Sequence, residues 1–135
     1  MAARSVTYCL DSWAVLEFLE GSSPAARRVR HVMRLGRPIM SWINLGEVYY
    51  SIRRAAGEAD AEATITQLRP ALTLDAATPE RVMDAARIKA VHPLAYGDAF
   101  AIATAAAHRA VLLTGDPEIT TRQVGCRVED LRKHA

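Results

Sequence analysis

The chain has 135 residues, of which 50% are hydrophobic and 24% charged, and its net charge is +2. These values fit one globular domain over residues 1–135, exclude intrinsic disorder, and do not by themselves signal a nucleic-acid partner. No apolar stretch approaches the ~20 residues that span a bilayer, and the run before Asp11 is too short for a secretory leader, so the expected location is the cytosol.

Val6 to Leu10 reads as a short buried strand, and Ser12 to Glu20 follows with helical spacing of Val15, Leu16, Phe18 and Leu19. Gly21-Ser22-Ser23-Pro24 breaks the pattern. Ser23 as cap and Pro24 as first residue then predict a helix to about Leu35, with Val29, Val32, Met33 and Leu35 inward and the arginines outward. Ile39-Met40 is a short strand. A helix runs from Ser41 or Trp42 to about Ala56 and stops at Gly57. Its apolar arc carries Trp42, Leu45, Val48, Tyr49 and Ile52, and its opposite stripe carries Asn44, Glu47, Ser51 and Arg54. That stripe is either a wet surface or the wall of a polar cleft. Asp60 to Arg69 is a further helix closed by Pro70, and Ala71 to Leu74 a strand. Thr78-Pro79 opens a helix to about Val91. Gly97 to Arg109 is a helix with almost no polar surface, hence central to the fold. Val111 to Thr114 is a strand, Gly115-Asp116-Pro117 a turn into a short helix, and Arg127 to Leu131 a last strand. Strands alternating with helices predict an α/β fold whose mainly parallel sheet is covered on both faces.

In such sheets ligands bind beyond the carboxyl ends of the strands. Asp11 and Asp116 each follow a strand there, and Asp98 lies in the first turn of the apolar helix. Taken singly, Asp11 and Asp98 read as helix caps and Asp116 as a turn residue. Taken together with Glu47, four acids in one cleft would raise each other's pKa, and a divalent cation would relieve the repulsion. Carboxylate oxygens suit Mg²⁺ or Mn²⁺, which activates water for attack on a phosphoryl group. The hydroxyls of Ser12 and Thr114 could orient a carboxylate or water. The segment from Ser22 to Arg54 holds seven arginines and one acid. It is either a basic lobe that draws a polyanion toward the acids or a solvated helix face.

Other chemistries fit less well. The four histidines lack zinc-like spacing, with His31 and His108 expected on helix surfaces. There is no glycine-rich phosphate loop and no nucleophile elbow. Trp13 stands where an Asp-x-Asp phosphatase needs its second acid. Cys9 and Cys126 are too few for a disulfide scaffold and read as buried reduced thiols.

Four segments carry a resemblance. Val6 to Leu16 is similar to the opening strand and helix of PIN-domain ribonucleases. Asn44-Leu45-Gly46-Glu47-Val48 resembles their helical glutamate motif, Leu94 to Ala103 their central aspartate helix, and Leu112 to Glu118 their final acidic turn. The order holds across essentially the whole chain, and the size looks most like the VapC toxins of toxin–antitoxin pairs. The resemblance implies a PIN-like three-layer α/β/α sandwich with a short, mainly parallel sheet. It implies a Mg²⁺- or Mn²⁺-dependent endoribonuclease with Asp11, Glu47, Asp98 and Asp116 as its acidic quartet. Asp11, Asp98 and Asp116 would serve the metal, Asp11 and Asp98 directly. Glu118 would be a peripheral acid, Gly97 a substitution of little consequence, and Arg53 or Arg54 would lie near the RNA path. A homodimer and a small VapB-like antitoxin, presenting an arginine to the acids, are implied as partners. The alternatives are a PIN-type RNA-processing nuclease without antitoxin and an inactive α/β binding module.

Overall fold

A computed structural model of the chain describes residues 5–134. Five parallel strands form one sheet in the order β3-β2-β1-β4-β5, with β1 at Tyr8–Leu10, β2 at Ile39–Ser41, β3 at Thr73–Asp75, β4 at Val111–Thr114 and β5 at Arg127–Asp130. Seven α-helices surround it: α1 (Ser12–Glu20), α2 (Pro24–Leu35), α3 (Trp42–Ala56), α4 (Glu58–Leu68), α5 (Pro79–Val91), α6 (Tyr96–Ala107) and α7 (Pro117–Thr120). The result is the three-layer α/β/α sandwich that the alternating pattern implied.

The pleat sorts the core. Leu10, Met40 and Leu113 point to one face and meet Ala14, Val15, Val29, Val32, Leu45, Val48 and Leu68 from α1 to α4. Cys9, Ile39 and Leu112 point to the other and meet Ala101, Ile102 and Ala105 of α6. Strands buried on both faces cannot alternate apolar with polar, which is why these read as continuous apolar runs. The same logic explains α6. Its Ala99, Phe100 and Ala103 are covered by Ala85 and Val82 of α5, so α6 lies between the sheet and a second helix.

Capping set most helix boundaries. Ser23 accepts from the Ala26 N–H at 3.0 Å and Thr78 from the Arg81 N–H at 3.1 Å, each just before a proline. Several boundaries differ from expectation by one or more residues, three of them with a clear local cause. Helix α4 starts at Glu58 rather than Asp60, because Gly57, at φ 96°, turns the chain straight into it. Strand β3 is shifted to Thr73–Asp75 because Arg69–Ala71 continues α4 as a 3-10 turn. Helix α6 ends at Ala107 because Arg109 takes φ 51°. The apolar arc of α3 is also less uniform than its wheel suggested, since Trp42 is 39% exposed with the Arg69 guanidinium over its ring. His31 and His108 are exposed, and His108 Nε2 lies 2.8 Å from Asp75. Cys9 is buried, Cys126 is half-buried, and both are free thiols.

One glycine is required by its neighbour. A methyl group on Gly115 would sit 2.3 Å from the Trp13 ring, which is half-buried on the α1 side of the core. Gly115→Ala is expected to destabilise the chain by about 1–3 kcal/mol through overpacking. Gly46→Ala, in the middle of α3 with nothing within 4 Å of the added carbon, should gain up to about 1 kcal/mol. Chemical denaturation midpoints of the two variants would check the contrast.

Candidate functional site

Between β1 and β4 the strand order reverses. The chain leaves β1 for β2 on one side and reaches β4 on the other side only after a long excursion. The crevice at such a switch point opens at the carboxyl ends of the two strands, and acids project there. Asp11 follows β1 as the N-cap of α1, 2% exposed. Its Oδ1 accepts from the Ala14 N–H at 2.8 Å. Its Oδ2 accepts a short hydrogen bond from the Thr114 hydroxyl at the end of β4. Thr114 Oγ1 in turn accepts the Asp116 N–H at 3.0 Å. A chain of hydrogen bonds thus ties the two strand ends and their two acids together. Of the two hydroxyls considered in the sequence, Thr114 orients a carboxylate. Ser12 makes no side-chain hydrogen bond among the described residues.

Asp116 caps α7, its Oδ1 accepting the Glu118 N–H at 2.9 Å, with Pro117 at the first helical position. This tight turn aims Glu118 back toward α6, where its Oε2 accepts the Ala95 N–H at 3.3 Å. Asp98, in the first turn of α6, completes a group with Asp116 and Glu118. One carboxylate oxygen from each of the three lies within 4.8 Å of the others. Glu118 therefore belongs to the acid cluster rather than to its periphery.

Glu47 reaches the mouth from α3. Asn44, one turn earlier and 1% exposed, donates from Nδ2 to Glu47 Oε1 at 2.8 Å and to the Gly97 carbonyl at 3.0 Å. The polar stripe of α3 is cleft wall at this end. A methyl group on Gly97 would fall 2.2 Å from Glu47 Oε2. The absence of a side chain at Gly97 is consequential: it is the space in which the Glu47 carboxylate lies. Arg53 and Arg54 sit at the far end of α3, where Arg53 bonds the Tyr49 hydroxyl at 2.9 Å and Arg54 lies over the Tyr50 ring at 4.8 Å. Neither contacts an acid of the cluster. On α2, Arg28 is spent on Glu129, at 2.8 and 2.9 Å, and on the Tyr8 hydroxyl.

The electrostatics follow from the crowding. Burial pushes the Asp11 carboxyl up to about 7; the Thr114 and Ala14 hydrogen bonds oppose this, and the charges of Asp116 and Glu47 add to it. Asp98 is pushed up to about 8, by burial first and then by hydrogen bonding and charge from Glu118 and Asp116. The shared proton on Asp98 in turn holds Glu118 below the usual carboxylate range. A set of hard oxygen donors that retain a proton near neutrality for want of positive charge fits a hard divalent cation.

The sequence profile of the PIN domain matches residues 8–123. No curated protein matches the sequence. Among solved structures the fold is similar to DNA-bound VapBC from Salmonella typhimurium (TM-score 0.75, 17% identity, 94% of this chain and 99% of that one). It is also similar to VapC20 from Mycobacterium tuberculosis, a sarcin-ricin-loop-cleaving toxin (TM-score 0.70, 18% identity, 90% and 99% covered). A third likeness is to PAE2754 from Pyrobaculum aerophilum (TM-score 0.67, 17% identity, 98% and 94% covered). At these identities the structural likeness is one of fold.

The raised carboxyls have a thermodynamic consequence. Between about pH 4 and about pH 8 the folded chain holds protons on Asp11 and Asp98 that the unfolded chain has released. These two groups therefore favour folding fully below that window, and the contribution is lost as pH rises through it. In EDTA, the melting temperature of Asp98→Asn relative to the parent is expected to rise as pH goes from 5 to 8.5. Mn²⁺ should stabilise the parent more at pH 8 than at pH 5, where protons compete for the same oxygens. Calorimetry across that pH range reads both effects.

Proposed function

The chain belongs to the PIN-domain family, and from that premise we propose that it is a Mg²⁺- or Mn²⁺-dependent endoribonuclease acting as the toxin of a toxin–antitoxin pair. The observation that carries this reading is the meeting of Asp98, Asp116 and Glu118 above a buried Asp11 at the switch point of the sheet.

Asp11, Asp98 and Asp116 would hold the cation, with Glu47 and Glu118 closing the two sides of the mouth. When bound, the cation supplies charge that offsets the developing phosphoryl anion and makes water a competent nucleophile near neutral pH. The chain's own contribution is preorganisation. Thr114 and the Ala14 N–H fix both oxygens of Asp11, so that carboxylate cannot rotate when substrate arrives. Asn44 fixes one oxygen of Glu47 and leaves the other facing the space above Gly97. Asp98, with a pKa near 8, is placed to give up its proton as positive charge enters the mouth. No side chain need act as covalent nucleophile.

The substrate is RNA, reached through the open mouth, with Arg54, on the continuation of the Glu47 stripe, and its neighbour Arg53 as backbone contacts. The VapBC likenesses support a small VapB-like antitoxin; on this reading it blocks the mouth with a cation of its own, most simply an arginine, and the toxin is a homodimer. No helix of the described residues is long and apolar enough to cross a membrane.

Purified chain with labelled RNA and Mn²⁺ is expected to give endonucleolytic products that EDTA abolishes. Asp11→Asn and Asp98→Asn should each lower the rate by about 10²-fold or more while melting no earlier than the parent, since each removes acid–acid repulsion. Gly97→Ala should lower it by displacing Glu47. Unchanged cleavage in both aspartate variants would sink the assignment, and loss of folding in both would return these acids to a structural role. Growth arrest on expression, relieved by Asp98→Asn, separates a toxin from a maturation enzyme.

A further inference from the structure

Beside the acid mouth lies a second feature of opposite sign. Residues 120–130 run from the end of α7 to the outer edge strand β5 and wall an open groove of about 710 Å³. Its lining mixes polar groups with Val124 and Val128, and three cations line it: Arg122, Arg127 and Lys133. All three are exposed and none makes an ion-pair contact among the described residues, although the Arg122 charge helps hold the Glu118 carboxyl below the usual range. The one acid in the lining, Asp130, accepts the Arg132 N–H at 3.0 Å and has Arg132 Nε at 3.8 Å, so part of its charge is already answered from outside the groove. The groove joins the site physically. Arg122 Nε donates to the Glu118 carbonyl at 2.9 Å, placing this cation one helical turn from the acid trio.

We propose that this groove is the binding track for the RNA backbone flanking the cut phosphate. The inference rests on the nuclease reading and adds to it the direction in which substrate leaves the mouth. The mouth is acidic and repels a polyanion, so affinity must come from adjoining surface. A run of cations starting at the rim supplies it. Phosphates lie along Arg122, Arg127 and Lys133, with Val124 and Val128 beside a sugar or base. The cations favour a nucleic acid over the other occupant an edge strand could take, a peptide strand paired to β5.

The test uses the intact chain in EDTA, so that no cleavage occurs, and a fluorescein-labelled single-stranded RNA read by anisotropy. Replacing Arg122, Arg127 and Lys133 together by Gln is expected to weaken binding about 10-fold or more at 100 mM salt. It should also reduce the slope of log affinity against log salt by about 2, near 0.7 per lost phosphate contact. In Mn²⁺ the same variant should show the loss in KM rather than in kcat. A matched control replaces Arg27, Arg34 and Arg37, which are exposed on α2 and the loop after it, and should stay within about twofold. Equal weakening by the two triples would reduce the effect to net charge and overturn the track. So would unchanged RNA affinity in the groove triple, including the case where it loses a protein partner instead. Cleavage by the parent with an unaltered KM in the groove triple removes the track and leaves the nuclease. Groove-dependent binding without cleavage removes the nuclease.

Discussion

One buried carboxylate organises this molecule. Asp11 is withdrawn from water at the end of β1 and held there by two donors, one local and one from residue 114. An ionised group so placed is costly unless its oxygens are satisfied, and its hydrogen bonds to Ala14 and Thr114 are what make the position tolerable. Those bonds also fix the relative height of two strands that are distant in sequence. The remaining acids arrive on elements whose placement depends on that pairing: Asp116 through the turn after β4, Asp98 through the helix packed under both strands, Glu47 through the helix after β2. Under the proposed function, stability and chemistry would pull against each other at the same atoms.

Absent side chains matter as much as present ones here. Gly97 provides room for the Glu47 carboxylate and Gly115 for the Trp13 ring. In both cases the backbone of one element is approached by a large group from another, and only a residue without Cβ permits the distance. Neither glycine has a positive φ, so the requirement is one of volume and not of conformation.

Much of the fold was legible because it is written locally. Ser23-Pro24 and Thr78-Pro79 carry their own start signals, and the apolar runs at residues 8–10 and 111–114 could only be strands buried on both faces. The three acids at the ends of apolar segments were legible for the same reason, as positions where packing offered no account of a charge. What escaped was relational. Asn44 sits on the polar stripe of its helix and looks wet, yet the start of α6 buries it completely. Glu118 becomes part of the cluster only because α7 is one turn long and folds back on Ala95. The arginines near residue 30 drew attention as a group, but Arg28 is committed to an ion pair with the far edge strand. Spacing along a chain shows which face a residue takes, and not what a distant segment later lays against it.

The register of the central strand pair has a last implication, for biosynthesis. Tyr8 aligns with Val111 and Leu10 with Leu113, so the first strand made waits about a hundred residues for its inner neighbour. A nascent polypeptide interrupted before Asp116 lacks two of the three clustered acids, Asp116 and Glu118. Long-range parallel pairing of this kind forms late and slowly. A chain whose chemistry would be directed at RNA therefore has no assembled centre while most of it is still being translated.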